Sequence, residues 1–245
     1  MRILIKIEYV GSNYHGWQKQ ANLPTIQGIL EKTLSNFLKQ NITLFGCGRT
    51  DAKVHAKSQY AHFDCESSFD FSRLPLAINN MLPKDIMIVS ARQVSNDFHA
   101  RFSAKKKIYR YYIYNNIVRS PLLNEFSLHV PVKLDIKKMK KACKMFVGEH
   151  NFTAFCTKRE FEDRFFNVRK IYSLKIKKRK NLICFEICGD GFLYNMVRII
   201  IGTILDVGKN KIETKQIKKM FVSKNRCEAG ETLPPHGLIL YDVIY

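Results

Sequence analysis

From residue 3 to residue 9, apolar and polar side chains alternate. Ile3, Ile5, Ile7 and Tyr9 share one face, and Leu4, Lys6 and Glu8 share the other, which predicts a strand with a wetter outer side. Residues 11 to 18 then form a loop bracketed by glycines and carrying Tyr14 and Trp17. Pro24 and Thr25 open a helix, with Thr25 as its N-cap. Ile26, Ile29, Leu30, Thr33, Leu34, Phe37 and Leu38 recur at helical spacing, so one stripe of that helix packs on a sheet. Two strand-like runs follow, Thr43, Leu44 and Phe45, then Gln59, Tyr60, Ala61, His62 and Phe63. Ser72 begins a helix through Leu74, Leu76, Ala77 and Ile78, and Ile86, Met87, Ile88 and Val89 make a short buried strand. Strand, helix, strand, strand, helix, strand is the layout of a split β-α-β half, as in ferredoxin-like folds.

The remainder mixes strands and helices in a similar order. Residues 108 to 114 read as an aromatic strand. An amphipathic helix spans 135 to 147 and is closed by Gly148 as C-cap. The charged stretch from 157 to 167 reads as a mobile loop. Strands near 169 to 177 and 182 to 189 form a hairpin with a basic tip, with Cys184 and Cys188 as core side chains. An apolar helix spans 195 to 205, a further helix 214 to 222, and a last strand 238 to 243. The expected class is therefore α+β in two halves, residues 1–104 and 105–245.

Charge narrows the partner. The 245 residues hold 41 Lys and Arg against 21 Asp and Glu, a net of +20. Such a surplus steers polyanions to the surface, with nucleic acid the first candidate and an anionic membrane the second. The seven Cys show no Cys-x-x-Cys pair, and the seven His show no His-x-x-x-His. This fits a reducing compartment without structural zinc. No signal peptide or spanning segment is visible, so the expectation is a soluble cytoplasmic protein. P-loop and Gly-x-Gly-x-x-Gly patterns are absent as well.

Candidate chemistry gathers between the two strand-like runs of the first half, in Gly46-Cys47-Gly48-Arg49-Thr50-Asp51-Ala52-Lys53-Val54-His55-Ala56. A loop carboxylate beside a guanidinium suits a nucleophile or general base, and equally a surface ion pair. Arg198 lies within the apolar helix and calls for a carboxylate partner. Lys105, Lys106 and Lys107 precede Tyr109, Tyr111, Tyr112 and Tyr114. Such a cluster can meet phosphate and stack unpaired bases. Most of these tyrosines nonetheless read as one buried strand face, leaving one or two for a ligand. If Asp51 and Arg198 meet, the arginine keeps the carboxylate ionised, and an aromatic beside them can hold a flipped base.

These residues resemble a known family. Gly48-Arg49-Thr50-Asp51-Ala52-x-Val54-His55-Ala56 is similar to the signature of TruA-type tRNA pseudouridine synthases. So are Glu8-Tyr9-x-Gly11-x-x-Tyr14-x-Gly16-Trp17-Gln18, Gln59-x-Ala61-His62-Phe63, Asn79-x-x-Leu82-Pro83 and the run from Asp97 through Ala104. Lys107-x-Tyr109-x-Tyr111, Gly148-x-His150-x-Phe152-Thr153-x-Phe155, Gly191-Phe192-Leu193-x-x-Met196-Val197-Arg198 and Pro235-x-Gly237-Leu238 complete the order.

The resemblance implies two ferredoxin-like halves, a continuous, mainly antiparallel sheet and a central active-site cleft. It implies conversion of uridine to pseudouridine at positions 38, 39 and 40 of the tRNA anticodon stem-loop, without metal or organic cofactor, by a homodimer. By position, it makes Asp51 the nucleophile, Arg198 its guanidinium partner and Arg49 the residue that helps extrude the nucleotide. The family's stacking tyrosine falls on Tyr109. From this chain's own residues, Phe192, Lys53, Lys105, Lys106 and Lys107 are candidates on the substrate side. One departure stands out: the family usually has Gly where this chain has Lys53. If that position needs a positive φ, lysine costs strain, and its charge suits an RNA backbone contact or an altered site preference. Two rival readings are a non-catalytic RNA-binding relative, against which Asp51, Tyr109 and Arg198 all argue, and a membrane-surface binder, which has only net charge behind it.

Overall fold

The computed structural model describes residues 1–157 and 167–245; most of the charged stretch that the sequence reads as a mobile loop lies outside them. The chain forms two compact units, Met1–Lys105 with Ile239–Tyr245, and Lys106–Leu238.

In the first unit the elements run β1 (Arg2–Tyr9), α1 (Ile26–Leu38), β2 (Phe45–Gly46), β3 (His55–Asp64), α2 (Leu74–Ile78) and β4 (Ile86–Val94). Strand β1 pairs antiparallel with β3 on one side and β4 on the other, and β2 pairs antiparallel with β3. The order β4–β1–β3–β2 is that of the split β-α-β half expected from the pattern. Thr25 caps α1 by accepting from the Gly28 N–H at 3.3 Å. Ile26, Leu30 and Leu34 of the expected stripe are buried, and so are Gln27 and Glu31. Where the pattern begins a helix at Ser72, a 3-10 turn (Phe71–Arg73) comes first, capped by Asp70. Its carboxylate reaches both the amide and the hydroxyl of Ser72, which draws the cap two residues upstream.

The second unit contains β5 (Lys106–Asn115), β6 (Leu128–Val130), α3 (Ile136–Lys144), β7 (Gly148–Asn151), β8 (Val168–Arg179), β9 (Leu182–Gly189), α4 (Met196–Gly208) and α5 (Gln216–Ser223). Antiparallel pairing gives the order β5–β9–β8–β7, with β6 parallel to β5. Helix α3 stops before Gly148, with Met145 at its C-cap. Gly148 instead opens β7 at φ +115°, a left-handed backbone for which glycine is suited. On β9, Ile183, Phe185 and Ile187 face the core, so period-2 alternation puts Cys184 and Cys188 half-buried on the other face and not in the core. All seven cysteines are free thiols.

The last strand, β10 (Leu238–Ile244), pairs parallel with the start of β3, Ile239 opposite His55 and Leu240 opposite Ala56. By sequence it closes the second half, but from Ile239 onward it is counted in the first unit. A parallel neighbour can come from anywhere in the chain, so sequence order does not disclose this pairing. Both units are thus mixed α and β, and their strands pair mostly antiparallel.

Candidate active site

The Asp51 loop leaves β2 at Gly46 and enters β3 at His55. Its path is fixed by backbone groups on both sides. The Cys47 N–H donates to the Tyr60 carbonyl at 2.7 Å. Buried Gln59 donates from Nε2 to the Gly48 carbonyl at 2.8 Å and accepts from Cys47 Sγ at 2.9 Å. The opening glycine loop supplies the other wall. Trp17 N–H donates to the Thr50 carbonyl at 3.0 Å, and Lys53 N–H donates to the Tyr14 carbonyl at 3.1 Å. Gly16, at φ +91°, lies so close that a Cβ there would sit 2.7 Å from the Thr50 carbonyl oxygen. The Tyr9 hydroxyl and Thr50 Oγ1 share a buried hydrogen bond of 2.7 Å. Tyr14 in turn donates its hydroxyl to Asp85; burial first, and then this bond, raise the phenol above its ordinary range.

Asp51 heads a turn closed by the Val54 N–H on the Asp51 carbonyl at 3.2 Å. The third residue of that turn is Lys53, at φ +64°. A positive φ at this position is the type II arrangement, which favours Gly. The conditional expectation of strain is therefore met. The Asp51 side chain is half-buried, and those of Arg49 and Lys53 are exposed. A carboxylate on a loop tied by this many main-chain bonds loses little freedom when it reacts, which is how a positioned nucleophile or base gains its rate.

Two histidines near the loop are structural. His55 Nδ1 accepts from the Gly11 N–H at 3.0 Å, and His62 Nδ1 accepts from the Ala100 N–H at 3.2 Å. Burial, then the charges of Arg2 and His99, lower His62 to about 4. Sequence reasoning passed over Gln27 and Glu31. Gln27 Nε2 donates to the Leu44 carbonyl at 3.0 Å, and Glu31 accepts from the Leu44 N–H at 3.0 Å, so a helix fixes the approach to the loop. The available signal was two polar residues at i, i+4 next to an apolar stripe.

In the second unit Tyr109 and Phe192 come together, their rings edge to face with centroids 5.2 Å apart. Tyr109 stands on β5 opposite Ile187. Phe192 follows β9, where the Gly189 Cα allows its ring within 3.0 Å of a would-be Cβ. Both rings are half-buried. The next tyrosine on that face, Tyr111, is fully buried and donates its hydroxyl to the Pro234 carbonyl at 2.9 Å. It has the structural role assigned to most of this strand's tyrosines. Lys106 is exposed and sits 4.9 Å from the Tyr172 ring centre. Lys105 is exposed and Lys107 half-buried.

Arg198 is the third residue of α4, whose other side chains are nearly all buried. Its Nε donates to the Leu233 carbonyl at 2.5 Å and its Nη1 to Asn195 Oδ1 at 2.7 Å. The Leu233 carbonyl is available because Gly202 lets the neighbouring segment approach: a Cβ there would lie 2.2 Å from the Glu231 carbonyl oxygen. Among the described residues, no group of three or more His, Cys, Asp or Glu could hold a metal ion, and no helix is long and apolar enough to cross a membrane.

Comparison with known proteins identifies the class. The model of the family described as tRNA pseudouridine synthase matches residues 5–103 and 142–245. The chain belongs to that family. A relative named tRNA pseudouridine synthase A from Caldicellulosiruptor saccharolyticus is 45% identical over 243 residues, covering 99% of each chain. Relatives of the same name from Acetivibrio thermocellus and Bacillus licheniformis are each 44% identical, over 98% and 100% of this chain and 97% and 99% of their own.

Proposed function

We propose that this chain, by its family an isomerase acting on tRNA, converts uridine to pseudouridine at positions 38, 39 and 40 of the anticodon stem-loop. The reaction breaks the N-glycosidic bond, turns the freed uracil and rejoins it to the sugar through carbon, so substrate and product are isomers and no co-reactant is consumed. Asp51 is the nucleophile, and Arg198 is the guanidinium that keeps it ionised. Tyr109 and Phe192 present ring edges and faces to the extruded uracil. Arg49 takes part in extrusion, and Lys53, Lys105, Lys106 and Lys107 meet backbone phosphates. The working form is a cytoplasmic homodimer.

The observation that carries this reading is the fixing of the Asp51 turn from both sides by main-chain hydrogen bonds. A plain surface ion pair has no need of such a scaffold. The test is pseudouridine mapping at single-nucleotide resolution on tRNA from cells with and without this protein. Loss at positions 38 to 40 is expected. Loss elsewhere would keep the chemistry and move the site preference, with Lys53 the first residue to examine. No loss at any position in cells lacking other synthases for these sites would sink the enzyme reading.

A further inference from the structure

Beside the Asp51 loop the first unit carries a row of rings that the chemistry above does not use. Phe45 stacks on His62 with centroids 5.1 Å apart, His62 meets His99 at 4.7 Å, and His99 underlies Phe102 at 4.3 Å. The inner member is buried, yet the outer ones are open: Phe45 is 47% exposed and Phe102 76% exposed. The Arg101 guanidinium stands 5.7 Å from the Phe102 ring centre.

The loop that shows these rings to solvent is held firmly. Arg2 Nη1 donates to the Asn96 and Phe98 carbonyls at 2.5 and 2.9 Å, and the Tyr245 hydroxyl donates to the Ala100 carbonyl at 2.9 Å. The Ser103 N–H donates to the His99 carbonyl at 2.8 Å, and His99 Nδ1 accepts from the Arg101 and Phe102 amides at 3.1 and 3.4 Å. The His99 ring is thereby locked beneath Phe102. A turn this well tied could bury its phenylalanine, yet it presents the ring outward on a histidine backing with a cation at its side.

We infer that Phe102, backed by His99 and flanked by Arg101, is a stacking platform for a second unpaired base of the RNA, distinct from the uracil handled at Tyr109. The inference rests on the reading of the protein as an RNA enzyme. A ring face with an adjacent guanidinium is the pairing that takes a splayed base and its phosphate together. The polar rim of Arg101, His99 and Ser103 and the chain's net charge of +20 favour a polyanion over an apolar protein surface.

The experiment measures the affinity of the full chain for an unmodified tRNA transcript, for wild type and for Phe102→Tyr, Phe102→Leu and Phe102→Ala. Phe102→Tyr should bind within about twofold of wild type, and Phe102→Leu and Phe102→Ala about 5- to 100-fold more weakly, the range for losing one stacked base. Melting temperatures should stay equal, since the side chain is exposed. Phe102→Trp gives a direct readout: the sole native tryptophan, Trp17, is 2% exposed, so added tRNA should quench the introduced indole alone. Arg101→Ala should lower the salt slope of binding by about one phosphate contact. Leucine binding as tightly as phenylalanine, or an unquenched indole on bound tRNA, would overturn the platform and leave the enzyme reading intact. A wild-type chain that binds no tRNA would overturn both.

Discussion

Asp51 and Arg198 are positioned by different means. Around Asp51 the restraints are polar and main-chain: the carbonyls of Gly48, Thr50 and Tyr14 and the amides of Trp17, Cys47 and Lys53, with Gln59 and Tyr9 inserted between them. Around Arg198 they are largely apolar. Helix α4 is sealed by isoleucines, and the guanidinium donates to the Leu233 carbonyl and the Asn195 side chain. A loop tied through its backbone can be displaced by small steric or dihedral changes while the core stays intact. A helix residue moves only if packing fails, and then stability falls with it. Changes near Asp51 should therefore separate activity from stability, and changes near Arg198 should not.

The largest effect tests the loop itself. Asp51→Asn keeps size and shape and removes the charge, so product formation should fall by at least about 1000-fold. Melting temperature and tRNA affinity should hold near wild-type values. Single-turnover assays with radiolabelled tRNA would show it. Residual activity within tenfold of wild type would remove Asp51 from the nucleophile's role.

Two glycines break the comparison more directly. Gly202→Ala would place a Cβ 2.2 Å from the Glu231 carbonyl oxygen in a sealed helix contact. Stability should drop by about 2–4 kcal/mol, with activity falling only as the folded fraction does. Gly16→Ala meets the Thr50 carbonyl at 2.7 Å from a backbone at φ +91°. It should cost about 1–3 kcal/mol, and turnover of the folded enzyme should fall roughly 10- to 100-fold because Asp51 shifts. Urea unfolding paired with turnover on the same samples separates the cases. Equal activity-to-stability ratios for both variants would erase the distinction.

These two glycines also show what the sequence disclosed and what it did not. Strands β1 and β3 and helix α1 were legible because period-2 and period-3.6 patterns survive in them, and Thr25 announces a helix start. The run at 43–45 yields only the two-residue β2 (Phe45–Gly46), and β4 extends to Val94 with Met87 and Val89 exposed, where four consecutive apolar residues suggest a short buried strand. The loop motif and its Asp51 were legible because chemistry-bearing residues cluster in eleven consecutive positions. Long-range placement was not. Nothing local tells that β10 lies beside β3, that Gly16 packs on Thr50, or that Gln27 and Glu31 hold Leu44, because each depends on partners 15 or more residues away or on a polar group turning inward. The early helix end before Gly148 was missed for a related reason: a glycine suited to a C-cap served a strand instead.

A third effect probes the polar scaffold by acid. His62, buried against Arg2 and His99, has its folded-state value lowered to about 4 from an ordinary 6.5; Asp64 opposes the shift. Between those values the unfolded chain binds the proton and the folded chain does not. The contribution is therefore complete above pH 6.5 and is lost as pH falls toward 4, an amount of roughly 2–3 kcal/mol. Urea titrations at pH 7 and pH 4.5 should show wild type losing more stability than His62→Gln, whose amide oxygen can still accept from Ala100. Hydrogen exchange should place the early loosening in the first unit. Equal losses in the two proteins would show that His62 does not carry this dependence.

The smallest effect bears on Lys53, where the resemblance leads one to expect glycine. Lys53 occupies the third position of the Asp51 turn at φ +64°. A left-handed backbone costs a residue with a Cβ about 1–2 kcal/mol, and a glycine would relieve that while adding about 0.5–1 kcal/mol of unfolded-state entropy. Lys53→Gly should therefore raise stability by roughly 0.5–1 kcal/mol. The Lys53 N–H bond to the Tyr14 carbonyl would remain, since glycine keeps its amide. If lysine is kept for its charge, the same variant should bind tRNA more weakly, with a salt slope shallower by about one contact. Lys53→Asn is the companion variant, because asparagine also tolerates the left-handed region and lacks the charge; stability then reads the strain and tRNA affinity reads the charge. Stability that rises in both variants while binding and its salt slope stay at wild-type values would mean that Lys53 strains the turn without serving the RNA. A loss of affinity shared by both would identify the strained lysine as a phosphate contact placed two residues from Asp51.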